Sequence, residues 1–185
     1  MHKGIITPHG NKYINRIISS LNTLADKVPV LCLSAKSDNI LLWSHYANSH
    51  RGFCIEYRAK RIDAENVIYK PDAPTIKIKE LLPTEFEDYQ SITGCKIKKA
   101  LLTKLIDWKH ENEYRFILFN AVKTTPIDEF RCMLPYEPDF IESIIFGSRM
   151  PPHIKEYIIN NMPYKTILKQ AYELDYSIEI RQYLT

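Results

Sequence analysis

The sequence predicts an α+β fold: a mixed, mostly antiparallel sheet with flanking helices. Three observations carry this. A strand, a capped helix and a second strand follow one another within about thirty residues from Val30. Strand-like runs dominate the second half of the chain. One amphipathic helix opens it and a proline-started helix interrupts the later strands.

Ile14, Ile17, Ile18 and Leu21 recur at helical spacing, so Tyr13 to Leu24 is expected to form a short amphipathic helix. Pro29 precedes Val30-Leu31-Cys32-Leu33, a continuous apolar run that reads as a buried strand closed by Ser34. Ser37 and Asp38 are good N-cap residues for a helix through about Asn48. Gly52 ends the turn, and Phe53 to Tyr57 alternates as a strand. Asn66 to Tyr69 offers another strand, before Pro71 and Pro74 in a loop. A helix is expected over Glu85 to Ile106, weakened at Gly94, and a strand from Glu111 to Phe119. Phe130–Leu134 and Ile141–Phe146 read as strands. Pro151 or Pro152 starts a helix to about Asn161, and strands near Thr166–Ala171 and Tyr176–Tyr183 close the fold.

With 185 residues, 45% of them apolar and 25% charged, residues 1–185 are expected to form a single domain able to bury a sizeable core. Within it, 1–27 reads as a variable N-terminal helix region and 28–185 as the core. The formal net charge of +3 is too small to mark a nucleic-acid binder by itself. The basic runs Arg58–Arg61 and Lys96–Lys99 read as solvated faces. The cysteines at 32, 54, 95 and 132 lack CxxC spacing, and Cys32 and Cys54 sit in apolar runs. Reduced thiols in a cytoplasmic protein are therefore expected, with no metal. No long apolar stretch suggests a signal peptide or a membrane span.

Three segments hold residues suited to chemistry. In Trp43-Ser44-His45-Tyr46-Ala47, Trp43 and Ala47 share one helix face and point to the core. His45 and Tyr46 then face a cleft or solvent, where a phenol ring can stack on a flat heterocycle. In Glu111-Asn112-Glu113-Tyr114-Arg115, strand alternation sets Glu111, Glu113 and Arg115 on one side. Carboxylates beside a guanidinium can position an ionised acid against a sugar hydroxyl, although a surface ladder of ion pairs would show the same pattern. The turn Phe146-Gly147-Ser148-Arg149, before a helix, either presents backbone N–H groups to an anion or is simply tight; the tight turn is the stronger reading. Phosphate loops, dinucleotide fingerprints and zinc-protease motifs are absent from the sequence.

The blocks CLSAKSDNILLWSHYANSHRGFCIEY, WKHENEYRF and IESIIFGSR, in that order, resemble an uncharacterised bacterial and phage family catalogued as domain of unknown function 2971. The resemblance runs from about Val30 to Ile180. Family members carry an upstream Tyr-containing strand and an Asn-Asp-Pro block that this sequence lacks before Val30, so the chain is expected to be N-terminally short. More distantly, the sequence is similar to ADP-ribosyltransferases of the poly(ADP-ribose) polymerase type. Tyr46 falls where those enzymes carry a helix Tyr, and Asn112-Glu113-Tyr114 matches their later Asn-Glu-Tyr.

That similarity implies NAD as substrate, with Tyr46, Ser34, Trp43 and Arg115 binding it and Glu113 and His45 in catalysis. It implies a protein or nucleic-acid acceptor, in a phage-defence or toxin setting. Two other readings stay open: a non-catalytic interaction domain, and an RNA-acting toxin using His45, Glu113 and Arg115 as acid, base and phosphate clamp.

Overall fold

A computed structural model describes residues 8–26, 28–77, 89–118, 125–126, 132–133 and 137–184. The chain divides into two compact units. Unit 1 takes residues 1–31, 67–108 and 117–134, and unit 2 takes 32–66, 109–116 and 135–185.

In unit 1, helix α1 (Pro8–Asp26) starts five residues before and ends two residues after the span its apolar spacing predicts. It buries Ile17 and lies beside α3 (Tyr89–Leu101), in which Ile97 is buried. The expected helix from Glu85 to Ile106 is shorter than its pattern. Residues 85–88 lie outside the described residues, and Thr103–Leu105 leave the helix to form strand β5. β5 pairs in parallel with β4 (Ile68–Lys70). The Leu102 N–H closes the last helical turn on the Lys98 carbonyl, and β-branched Thr103 begins the extended chain. A two-residue ladder joins β7 (Thr125–Pro126) to β8 (Cys132–Met133). The rest of the expected Phe130–Leu134 strand lies outside the described residues.

Unit 2 is built on a four-stranded sheet in the order β11-β10-β9-β2. Its strands are β2 (Phe53–Tyr57), β9 (Ile141–Phe146), β10 (Ile167–Glu173) and β11 (Ile178–Gln182). β9 and β10 are parallel, and the other two pairings are antiparallel. β9 is continuously apolar at its end because both of its faces are covered. On one face Ile145 packs with Ala171, Ile178, the helix residue Trp43 and Ala47 just beyond that helix. On the other, Ile144, Phe146 and Met150 pack with Ile158, Ile159, Met162 and Leu168. Helix α4 (Pro152–Asn161), which supplies Ile158 and Ile159, starts and stops where the sequence predicts.

The Phe146-Gly147-Ser148-Arg149 turn is a close-packed junction. A Cβ at Gly147 would lie 2.2 Å from the His50 carbonyl oxygen and 2.6 Å from that of Gly52. The N–H groups of Gly147, Arg149 and Met150 donate to Gly52, His50 and Gly147. These donors hold the turn together, as the stronger sequence reading has it.

A second, three-stranded sheet has the order β1-β6-β3, from β1 (Val30–Ser34), β6 (Glu113–Ile117) and β3 (Glu65–Asn66). β1 is an edge strand, and its apolar run is not buried as expected: Leu31 and Cys32 are exposed. Cys54, in contrast, is half-buried, and burial first, then the nearby Glu56 carboxylate, pushes its thiol up to about 11.

Candidate functional site

The helix between β1 and β2, α2 (Ile40–Tyr46), begins one or two residues later than the Ser37-Asp38 reading places it. Asn39 is the cap. Its side-chain oxygen accepts the Leu41 N–H at 3.0 Å, and its amide donates to the His110 carbonyl at 2.7 Å. The helix ends before Asn48 because Asn48, Ser49 and His50 all adopt positive φ, which a right-handed helix cannot continue. The Ser49 and His50 N–H groups fold back to the Ser44 and Trp43 carbonyls and satisfy the helix end.

Seven residues are enough to separate a core face from an open one. Trp43 is 3% exposed and donates its indole N–H to the Ser37 carbonyl at 2.7 Å. Trp43 was expected to touch a cofactor; the structure shows its ring in the core, where it fixes α2 on the sheet. Tyr46, three residues on, is 66% exposed, and its hydroxyl donates to Glu111 Oε1 at 2.8 Å. His45 is exposed and meets the Tyr46 ring edge-on, with centroids 6.3 Å apart.

Glu111 closes a 3₁₀ helix (Ile106–Glu111), and Glu113 opens β6. The residue between them, Asn112, has φ of 46°, a left-handed conformation that Asn tolerates better than most residues. Both carboxylate residues are buried, at 4% and 5% exposure, on either side of this kink. The Asn112 carbonyl accepts the Ala35 N–H, and the Ser34 hydroxyl donates to the Glu111 carbonyl at 2.8 Å. Ser34, expected at a cofactor, therefore ties the end of β1 to the acidic segment.

Alternation along β6 sets Arg115 beside Glu113, with guanidinium bonds of 2.7 Å from Nε to Oε1 and 3.2 Å from Nη2 to Oε2. Burial disfavours the guanidinium charge, but these bonds to Glu113, with a smaller share from Cys32, raise its pKa further above its already high value. β3 sets Glu65 opposite Arg115 in the register.

Tyr46, Glu111, Glu113, Arg115 and Ser34 thus belong to one tethered assembly within unit 2. α2 is tied to the acidic segment at both ends, by Asn39 and by Tyr46. Asn39 is the member that the sequence reading missed, and Glu111 was read only as one of the carboxylates beside Arg115. Asn39 was legible, because the cap belongs immediately before the first apolar residue of the helix, here Ile40. Glu111 carried no such signal, since strand alternation gave it a role only as Glu113's neighbour. Chemically, the assembly offers an exposed phenol face, an exposed imidazole and two buried acids.

No cluster of three or more metal-ligand side chains occurs among the described residues, and none of the described helices is long and apolar enough to cross a membrane. The site and fold define an α+β protein with a carboxylate-centred assembly. Residues 42–116, which hold most of α2 and the acidic segment, match the model of a family described as a protein of unknown function, DUF2971. No curated protein and no solved structure matches the chain.

Proposed function

We propose that unit 2 binds NAD and transfers its ADP-ribosyl group. The observation that supports this is the Tyr46–Glu111 hydrogen bond. It anchors the phenol by its hydroxyl on the buried Glu111, with Tyr46 still 66% exposed.

In this reading the nicotinamide stacks on the Tyr46 face. The bond between the ribose C1′ and the nicotinamide nitrogen breaks, and its electron pair leaves with nicotinamide. The oxocarbenium-like centre is stabilised by the fixed Glu113 carboxylate. An acceptor nucleophile forms the new bond at C1′ and gives its proton to His45, which is exposed next to Tyr46.

Nicotinamide release from NAD tests the reading. Wild-type protein is expected to release it, and Glu113→Gln to release it about 100-fold more slowly or not at all. NAD left intact by the wild type, with protein and nucleic-acid acceptors supplied, contradicts it.

A second reading, a non-catalytic interaction domain, is favoured by Tyr157, which is 68% exposed on α4. It predicts untouched NAD and a host partner whose capture is lost in Tyr157→Ser.

A further inference from the structure

The two edges of the four-stranded sheet differ. β2 is irregular, with a register shift between Glu56 and Tyr57. Bulges of this kind blunt an edge against pairing with another chain. β11, at the other end, is a regular five-residue strand, Ile178-Glu179-Ile180-Arg181-Gln182, without proline or lysine.

The ladder with β10 shows which of its backbone groups point outward. The Leu174 N–H donates to the Ser177 carbonyl at one end, and the Tyr183 N–H to the Leu168 carbonyl at the other. Between these ends the register pairs Tyr172 with Glu179 and Gln170 with Arg181. Antiparallel ladders alternate bonded and non-bonded pairs, so Ser177, Glu179, Arg181 and Tyr183 face β10. The N–H and C=O groups of Ile178, Ile180 and Gln182 therefore face away from the sheet, at an edge that carries no further strand among the described residues.

We infer that β11 pairs antiparallel with β11 of a second copy of this chain, about a two-fold axis at Ile180. Charge complementarity selects this occupant. Pairing centred on Ile180 sets Glu179 of each copy opposite Arg181 of the other. These are non-hydrogen-bonded pairs, in which facing side chains come closest. The outward-facing residues supply the bonded pairs, Ile180 with its own copy and Ile178 with Gln182 twice, for about six backbone hydrogen bonds. The strand reads the same charge pattern against itself.

Two more observations fit the same register. Glu179 and Arg181 lie on the exposed face, already joined at 2.9 Å through Arg181 Nε, with the guanidinium 4.9 Å from the Tyr172 ring centroid. They are ordered before any partner arrives. Tyr176 and Leu184, the most exposed apolar side chains described at 95% and 84%, flank β11 at equal distance from Ile180. The two-fold axis carries Leu184 of each copy to the hairpin tip of the other, where both lose contact with water.

Sedimentation equilibrium of the full chain tests this. Wild type is expected to dimerise. Glu179→Arg and Arg181→Glu, each placing like charges across the axis twice, weaken the dimer at least about tenfold. The double exchange, Glu179→Arg with Arg181→Glu, restores it. Mixing the two single variants gives a heterodimer, because one then carries two arginines and the other two glutamates. Amide exchange should slow with protein concentration at Ile178, Ile180 and Gln182. Both side chains are exposed, so unchanged circular dichroism is expected in every variant. A wild type that stays monomeric at its highest soluble concentration overturns the proposal. So does a dimer indifferent to single reversals, or one that neither the exchange nor the mixture restores.

Discussion

Unit 2 withdraws acidic side chains from solvent in two places, half-burying Glu56 and fully burying Glu111 and Glu113, and it treats them differently. In the four-stranded sheet, Glu56 on β2 is hydrogen-bonded by Ser143 on β9 and Lys169 on β10. All three lie on the face that carries Trp43 and Ile145. Burial works against the Glu56 charge, but the bonds from Lys169 and Ser143 hold its carboxyl below the ordinary 4.5. Its partners come from neighbouring strands in register, so the charge joins the sheet together.

In the acidic segment, Glu111 and Glu113 are fully buried, around a left-handed residue and with different partners. Glu113 meets Arg115 of its own strand, and Glu111 meets the hydroxyl of a ring that stays exposed. Neither contact joins two strands of a sheet. A polar group that stabilises the fold needs no exposed ring beside it. Burial alone therefore does not distinguish the two places; what the partner leaves open to solvent does.

Three changes sharpen this contrast, from the largest effect to the smallest. Trp43→Ala removes the packing of α2 on Ile145 and Ala171 and is expected to cost about 3–5 kcal/mol. Urea denaturation reads that loss, and any ligand binding at Tyr46 should fall with it. Asn39→Ala removes both the helix cap and the tether to His110, for about 1–2 kcal/mol. A loss below a few tenths would show that α2 does not depend on this cap.

The third change concerns acid. Because the folded-state pKa of Glu56 lies below 4.5, its stabilisation is present above that pH and is lost as pH falls through the lowered value. Thermal unfolding of wild type should therefore weaken between neutral pH and the region below 4.5 more steeply than that of Glu56→Gln. Parallel slopes would remove Glu56 from the structural class.

The periodic and covered elements were legible. β9 and α4 lie where Ile141–Phe146 and the proline pair place them, since apolar continuity and a helix-starting proline are local signals. The face split of α2 was legible too, because Trp43 and Ala47 stand four apart. The burial of β1 was not. An apolar run does not say whether a strand lies at the edge or the centre of a sheet, and sheet order depends on residues far away in the chain. The split of Glu85–Ile106 into helix and strand was hidden for the same reason, since β5 exists by pairing with β4. At the site, Tyr46 and Glu113 were legible as letters in motifs. The bond from Tyr46 to Glu111 was not, because it spans 65 positions and depends on the Asn112 kink.

The measurement that bears most directly on the central claim is NAD binding by isothermal titration calorimetry. Wild type, Tyr46→Phe, Tyr46→Ala and Glu113→Gln are compared at a temperature where circular dichroism shows each folded. Stacking on the Tyr46 ring predicts a clear binding heat for wild type, retained in Tyr46→Phe and weakened about tenfold or more in Tyr46→Ala. Glu113→Gln is expected to bind NAD and fail to cleave it. No heat from the folded wild type, or binding indifferent to loss of the Tyr46 ring, would contradict the account.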